Sequence, residues 1–300
     1  MNVNWDRLRV FFAVAEAGSF TDAAKVLRLS QPAVSRQIST LEREIDNTLF
    51  HRHHKGLVLT EVGEDVFKTT KHVLSEFEKM EERIVDLRGT PEGPLKVTTT
   101  VAFGSTWLSS RMNRFHDLYP QIRVSLLLVD DHEFDLSTRD ADVAIRFSPQ
   151  VQPFAVQTRL MKIQYHIFAC RRYLERKGTP EVSRDLLDHD LIVYGDDVQA
   201  PIDNINWLLD LARTHKKDFE PALTVSSIHG IFQAVRSGMG IAALPLYLAE
   251  EEETLTEILP DCRGPEFDAY LVYLEEMRDS MRLRVLREFL LNEAQPGRMQ

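Results

Sequence analysis

The stretch LRLSQPAVSRQISTLEREI, residues 27–45, decides the fold at the start of this chain. Ser30 stands where an N-cap belongs, and Pro32 lies in the first helical turn, where a missing backbone N–H costs little. The apolar positions that follow repeat at helical spacing and are Val34, Ile38, Leu41 and Ile45. This pattern predicts a helix with one buried face and one polar, locally cationic face that can contact a partner.

Two shorter helices precede it, separated by Gly18. Their apolar residues at helical spacing are Leu8, Phe11, Phe12 and Ala15 in the first and Phe20, Ala23, Ala24 and Leu27 in the second. Ser19 and Asp22 have the spacing of a capping box at the start of the second helix. Two helices joined by a tight turn, the second with an outward polar face, form a helix-turn-helix.

The outward face of the third helix carries side chains that suit DNA. Arginine and glutamine can each make paired hydrogen bonds to base edges in the major groove, and serine can bond phosphates or bases. The predicted DNA-binding face consists of Gln31, Pro32, Ser35, Arg36 and Ser39. The alternative is a solvated helix face in an unrelated helical domain.

A wing follows in the segment LFHRHHKGLVLTEVG, residues 49–63. Leu57 and Leu59 alternate after a Gly-containing turn, as in a short strand. The basic tip of this turn, placed to meet phosphates or a minor groove, consists of Arg52, His53, His54 and Lys55. A winged helix-turn-helix is therefore predicted over residues 1–60.

The charge of the chain supports this division. Residues 1–60 hold eight Lys/Arg against six Asp/Glu, a net charge of +2. The whole chain has a net charge of −10, so the remaining residues have a net charge of −12. An asymmetry of this kind indicates a DNA-facing end and a separate acidic body.

A long helix is predicted over residues 61–88. Its apolar seam alternates spacings of four and three, which is typical of a coiled-coil partner. The residues predicted to form a dimer are Val66, Val73, Phe77, Met80, Ile84 and Leu87, with Thr70 in the same seam. A helix packed on its own domain is the alternative. RGTPEGP, residues 88–94, then ends the helix, and residues 89–94 are predicted to be a hinge.

At this point a family resemblance is evident. FFAVAEAGSFTDAAKVLRLSQPAVSRQISTLEREIDNTLFHR, residues 11–52, followed by LVLTEVG, closely resembles the LysR-type transcriptional regulators over residues 5–88. LKVTTTVAFGSTWL and GMGIAALP resemble, within that family, the branch around glycine-cleavage activators and related alphaproteobacterial regulators.

Strand and helix patterns alternate after the hinge, which predicts a mostly parallel sheet with helices on its faces. The resemblance implies that this part is an effector domain of two α/β lobes similar to periplasmic binding proteins, joined by two crossing strands. The fold class is thus α/β with an N-terminal all-α winged helix-turn-helix domain. The expected effector domain spans residues 95–300, with lobe I at 95–163 and 269–300 and lobe II at 164–268.

A cleft between two such lobes is the expected site for a small effector. Hydroxyl side chains cluster in TTTVAFGST, where a strand is followed by a helix. The first N–H groups of that helix can bind an anion. The predicted effector-binding residues are Thr99, Thr100, Phe103, Ser105, Arg146, Tyr194, Ser226 and Ser227. They favour a small polar or anionic metabolite. Plain N-capping, and a surface ion pair for Arg146, are the alternatives, and the acidic runs at 130–131 and 251–253 are expected to be solvated surface.

Other classes of protein are less well supported by the sequence. No nucleophile elbow, phosphate-binding loop or Cys/His metal set is present, so neither an enzyme nor a cofactor is predicted. His51, His53 and His54 are close in sequence, but no Cys accompanies them, and a metal site is not predicted. A redox-responsive regulator using Cys170 remains the alternative function, because Arg171 and Arg172 follow that thiol.

The expected partners follow from the same resemblance. They are a double-stranded DNA operator, a small-molecule effector and further copies of the chain, as a homodimer and then a tetramer built as a dimer of dimers. RNA polymerase is left open as a further partner. Neither a membrane-spanning run nor a signal peptide is found, so the expected location is the cytoplasm.

Overall fold

A computed structural model describes residues 4–53, 56–86, 89–130, 136–137, 140–149, 154–195, 200, 202–249 and 252–295. The chain divides into two compact units, Met1–Ile84 and Val85–Gln300. In the described residues no helix is both long and apolar enough to cross a bilayer.

The first unit contains three short helices, a hairpin and the start of a long helix. These elements are α1 (Trp5–Ala17), α2 (Phe20–Leu27), α3 (Gln31–Ile45), β1 (Phe50–His53), β2 (Gly56–Leu59) and α4 (Glu61–Asp86). Asn4, Ser19 and Ser30 cap the first three helices through side-chain oxygens that accept backbone N–H groups. Gly18 ends α1 with φ of 60°, a conformation that favours glycine.

The hairpin is joined to α4 by a tight turn. Thr60 Oγ1 donates to the Thr48 carbonyl at 2.8 Å and accepts the Gly63 N–H at 2.9 Å. A Cβ atom on Gly63 would lie 2.2 Å from the Leu49 carbonyl oxygen, so only glycine permits this approach. Glu42 Oε1 accepts the Leu49 N–H at 2.9 Å, which ties the hairpin to α3 as well.

The second unit is built from nine strands and the helices between them, counted over the described residues. In chain order the elements are β3 (Gly93–Thr99), α5 (Val101–Phe103), α6 (Met112–Leu118), β4 (Ile122–Leu128), β5 (Val143–Arg146), β6 (Ala155–Cys170), α7 (Arg171–Lys177), β7 (Ile192–Tyr194), α8 (Trp207–His215), β8 (Leu223–Val225), α9 (Ile228–Arg236), β9 (Ile241–Pro245), α10 (Leu246–Ala249), β10 (Leu255–Ile258), β11 (Glu266–Leu274) and α11 (Met281–Glu293).

Strand β6 is shared by two lobes. Its first part pairs with β11, whose other edge continues through β5, β3 and β4, while its last residues pair with β9 and β10. Each lobe has its own core, one around Phe103 and Phe115 and the other around Ile167 and Ile231. The fold class predicted from the sequence and its family resemblance is confirmed. The expected mostly parallel sheet is only partly right, because β6 pairs antiparallel with each of its neighbours.

The segment between β3 and β4 is helical but irregular. A π-helical turn, Gly104–Leu108, and a 3-10 turn, Ser109–Arg111, lie between α5 and α6. Gly104 makes the packing of this segment on the sheet possible, because a Cβ atom there would lie 2.1 Å from a Leu128 methyl carbon. The segment begins directly after Thr100, at the carboxyl end of β3.

Candidate functional sites

The polar face of α3 is the first candidate site. Val34, Ile38 and Leu41 are buried in the core of the first unit, as their spacing predicts. Opposite that stripe, Gln31, Pro32, Arg36 and Ser39 are exposed and Ser35 is half-buried.

Acidic neighbours of this face are held in structural contacts. Glu44 pairs with Arg7 of α1, and Glu42 accepts the Leu49 N–H described above. Arg43 packs back on its own helix, where it donates to Thr40 Oγ1 at 3.0 Å. Apart from Pro32, the exposed residues on this face of α3 are polar or cationic, which suits a phosphate-rich surface.

The wing forms as predicted from its alternation, with Phe50 opposite Leu59 and His53 opposite Gly56. His54 and Lys55, at the tip, lie outside the described residues, as do the side chains of Arg52 and His53. In the part of the chain that is described, no group of three potential metal ligands occurs.

The seam of α4 has two halves with different surroundings. Thr70 is 2 % exposed, and Val66 packs on the core of the first unit, so this half follows the intradomain alternative. Further along, Phe77, Met80 and Ile84 are 48 %, 48 % and 50 % exposed. Phe77 also contacts Trp5, with 5.5 Å between ring centroids. Val73 is half-buried, and Leu87 lies outside the described residues.

A cleft of about 420 Å³ lies between the two lobes of the second unit. Its described lining consists of Thr100, Ala102, Asp130, Phe147, Ile163, Tyr165, Tyr194, Ile202, Ile228, Pro245, Tyr247 and Phe267. Several of these residues stand at or just beyond the carboxyl ends of strands, where α/β folds place their ligands.

Asp130 connects the two sides of this cleft. Its Oδ1 accepts the Val101 N–H at 2.9 Å, at the start of α5, and its Oδ2 accepts the Ser227 hydroxyl at 3.1 Å, at the start of α9. One of the helix N-terminal N–H groups predicted to bind an anionic effector, that of Val101, is therefore bonded to a carboxylate of the protein itself.

The tyrosines of the cleft are held in their neutral form. Burial, with a smaller contribution from Tyr194, raises the pKa of Tyr165. Burial first, then Tyr165 and Asp130, raise the pKa of Tyr247 well above the usual value for a phenol. Burial and Asp130 raise the pKa of Tyr194 in the same way. Burial disfavours charge of either sign, whereas Asp130 disfavours additional negative charge in the cleft.

Comparison with known proteins places both units in one family. Residues 5–64 match the model described as "Bacterial regulatory helix-turn-helix protein, lysR family", and residues 88–295 match the "LysR substrate binding domain". The chain belongs to the LysR family. The LysR-type regulator predicted from residues 11–52 is thereby confirmed, and the protein is a DNA-binding transcriptional regulator with a substrate-binding domain.

Named relatives of this LysR-type protein are also regulators rather than enzymes. CrgA from Neisseria meningitidis serogroup C is 28 % identical over 301 residues, 98 % of each chain, and TtdR from Escherichia coli K12 is 26 % identical, over 94 % of this chain and 91 % of TtdR. The solved structure of CrgA matches with a TM-score of 0.58 at 26 % identity over 98 % of this chain and 99 % of CrgA. Full-length CbnR, solved with its target DNA, shares the fold with a TM-score of 0.67 at 19 % identity over 97 % of this chain and 100 % of CbnR. The narrower resemblance to the glycine-cleavage branch stays a prediction.

Two of the predicted effector residues, Thr100 and Tyr194, line the cleft. Tyr194 is fixed by two backbone hydrogen bonds to the Asn206 side chain, both of 2.9 Å. Phe103 is buried beside the cleft, where its ring contacts those of Phe147 and Tyr247.

The other predicted effector residues have different surroundings. Thr99 and Arg146 are buried and are not part of the described lining. Ser105 is exposed and lies 3.3 Å from His229 Nδ1. Ser226 is exposed, and Ser227 caps α9 and bonds Asp130.

Sequence reasoning missed Asp130 and most of the aromatic lining. Asp130 was expected to be solvated surface, yet it follows β4 just as Thr100 follows β3, and the two strands pair in parallel. That shared position at the sheet edge was the signal that could have found it. The aromatic lining comes from β6 (Tyr165), α10 (Tyr247) and β11 (Phe267). These elements meet through the pairing of β6 with β9 and β11, which no local sequence pattern predicts.

The thiols do not support the redox alternative. Cys170 is buried in the core of lobe II at the end of β6, and it is a free cysteine, as is Cys262. The guanidinium of Arg172 donates to the Ser237 carbonyl, so it is directed toward α9. Redox-sensing cysteines are usually exposed as well as activated.

Proposed function

We propose that this protein binds an operator in double-stranded DNA and changes transcription when a small organic molecule enters the cleft between its lobes. The observation that carries the proposal is the pairing of a polar α3 face, seated on a buried stripe, with an aromatic cleft in a LysR-type substrate-binding domain. The same protein would act in the cytoplasm, where it meets both DNA and metabolites.

On the DNA side, Gln31, Ser35 and Arg36 are the proposed readers of base edges in the major groove, with Pro32 and Ser39 beside them. Their exposure at the first turns of α3 supports this assignment, since the N-terminal residues of a recognition helix contact bases. The proposed backbone contacts come from the wing, through Arg52, His53, His54 and Lys55.

Dimerisation is proposed through the exposed half of the α4 seam. Phe77, Met80 and Ile84 present large apolar side chains to solvent within about two helical turns, and a second copy of the helix would cover them. A dimer gives the two half-site contacts that DNA readers use. The tetramer, as a dimer of dimers, and a contact with RNA polymerase remain part of the proposal on the basis of family membership alone.

The effector is proposed to be polar, with an apolar body. Thr100, Asp130 and three tyrosine hydroxyls supply hydrogen-bonding groups, while Phe147, Ile163, Ile228 and Phe267 supply apolar surface. An anionic effector, the other class that the sequence favoured, has less support. Arg146 does not line the cleft, and Asp130 already occupies the Val101 N–H.

Effector binding would act by changing how closely the two lobes approach. Asp130 and Ser227 form a hydrogen bond across the cleft. A ligand that binds more tightly when the lobes are closer together, or when they are further apart, would shift the equilibrium between the two arrangements. In a dimer or tetramer the shift would alter the spacing of the DNA-binding pairs.

Selection of bound fragments from genomic DNA with the purified full-length protein tests the proposal. We expect a small set of related sequences, and we expect their affinity to change when a stabilising compound from a panel of amines, alcohols, sugars and acids is added. Binding of random fragments with equal affinity, with no response to any compound, would contradict it.

A further inference from the structure

The charge of the cleft lining points to a narrower class of ligand than polarity alone. Five of its residues are aromatic, namely Phe147, Tyr165, Tyr194, Tyr247 and Phe267. Among the described lining residues, the one charged side chain is the Asp130 carboxylate. In the described lining there is no Lys, Arg or His. We infer that the effector is a small organic cation, with its ammonium group at Asp130 and its apolar body against the aromatic walls. This inference rests on the proposed ligand response and specifies its chemistry.

Position is the first support. Asp130 is exposed at the cleft, and its two oxygens each accept one hydrogen bond, from Val101 and Ser227. A carboxylate has about four lone-pair sites, so it can accept an ammonium donor without releasing either bond. The two existing bonds hold the carboxylate still, which lowers the entropy cost of pairing with a ligand.

The aromatic walls are the second support. Phe103 makes T-shaped contacts with both Phe147 and Tyr247, with ring centroids 5.4 Å and 5.2 Å apart, so these two rings are held in place by the core. Phe267 is edge-on to Phe147 as well, at 6.2 Å. Fixed rings that line a cleft attract cations through their negatively charged faces, most strongly when water is excluded.

Competing ligand charges fit less well. A carboxylate or phosphate would meet the negative charge of Asp130, which already accepts the first backbone N–H of α5, that of Val101. Burial first, with Asp130 as a smaller cause, raises the pKa of Tyr194 and Tyr247, so both hydroxyls are neutral donors and acceptors toward a ligand. A neutral ligand would fill the volume but would bring no positive charge to Asp130.

The test uses the full-length protein and ligands matched in shape but not in charge. The probes are 2-phenylethylamine, 2-phenylethanol and 3-phenylpropanoate, with butylamine and tetramethylammonium as further cations. Titration calorimetry gives the dissociation constants, and operator binding is measured in parallel. We expect at least one cation to bind about tenfold more tightly than its neutral or anionic counterpart, the effect of one charge-assisted hydrogen bond.

Variants of Asp130 then assign the charge. Asp130→Asn should remove the preference for the amine while the affinity for 2-phenylethanol stays within about twofold, and Asp130→Glu should retain the preference. Asp117→Asn, which removes an exposed carboxylate of α6 outside the described lining, is the matched control and should change neither.

The outcomes separate this inference from the proposed function. If the acid or the alcohol binds most tightly and shifts operator binding, or if Asp130→Asn keeps the amine preference, the cation assignment is wrong and the ligand-responsive regulator stands. If no compound of any charge, in the wider panel as well, binds or shifts operator binding, both proposals fail.

Discussion

The Asp130 carboxylate accepts a hydrogen bond from the Ser227 hydroxyl at 3.1 Å, across the cleft between the lobes. Asp130 follows β4 in one lobe, and Ser227 caps α9 in the other. Beside this pair, Ser105 Oγ lies 3.3 Å from His229 Nδ1, also between a residue of lobe I and one of lobe II. The lobes are thus joined by specific polar contacts at the cleft as well as by the shared strand β6.

Removal of the Ser227 hydroxyl should loosen this connection. Ser227→Ala loses one hydrogen bond to a charged partner, so we expect the free energy of unfolding to fall by about 1–2 kcal/mol. Urea denaturation measures it. Ser237→Ala, at the other end of α9, is the matched control, because its hydroxyl donates to the Ala234 carbonyl of its own helix. A double-mutant cycle with Asp130→Ala, which leaves no acceptor, separates the pair from the cap, and additive losses would show that the two side chains do not interact.

The sequence predicted the DNA-binding end better than the cleft, for a physical reason. Burial of Val34, Ile38 and Leu41 is set by helical periodicity, which is local. In the cleft, a shift of one residue decides whether a side chain is buried or lines the cleft, since neighbouring side chains along a strand point to opposite faces. Thr99 and Arg146 are buried, whereas the residues that follow each of them, Thr100 and Phe147, line the cleft.

Replacement of Arg36 should weaken and broaden DNA recognition. Arg36→Ala removes an exposed guanidinium from α3, so we expect a loss of about 1–3 kcal/mol at the preferred operator and a smaller loss on unrelated DNA. Fluorescence anisotropy with both DNAs measures the difference. Arg9→Ala removes the same charge from the exposed surface of α1 and serves as the control. Unchanged affinity and unchanged sequence preference in Arg36→Ala would show that α3 does not read the groove.

Replacement of Lys55 should act differently, because the wing is expected to contact phosphates. Lys55→Ala should weaken binding to all sequences alike and reduce the slope of log affinity against log salt by about one. The measurement is a salt titration on the operator and on unrelated DNA. A loss confined to the operator would instead assign Lys55 to base recognition.

A charge in the exposed half of the α4 seam should separate the dimer. Met80→Asp places a carboxylate among Phe77 and Ile84, where a coiled-coil partner would bury it at high cost. We expect light scattering at micromolar concentration to return an assembly of lower mass than that of the wild type, together with weaker operator binding. Lys68→Asp, on the opposite side of α4 from Phe77, is the control and should leave the assembly intact. A Met80→Asp variant with the mass of the wild type would show that the association surface lies elsewhere.

The tyrosines of the cleft should make the second unit sensitive to alkali. Burial raises the pKa of Tyr165 above its usual value of 10.0, so above that pH the unfolded chain releases a proton that the folded chain keeps. Stability present below pH 10 is therefore lost as pH rises toward the folded pKa, by about 1.4 kcal/mol per pH unit for one fully buried phenol. Tyr165→Phe should reduce that slope by this amount. Urea denaturation between about pH 9 and about pH 11 measures it, and the difference from wild type cancels the titration of lysines. Equal slopes for the two proteins would mean that water reaches the Tyr165 hydroxyl, so that this side chain is not buried in solution.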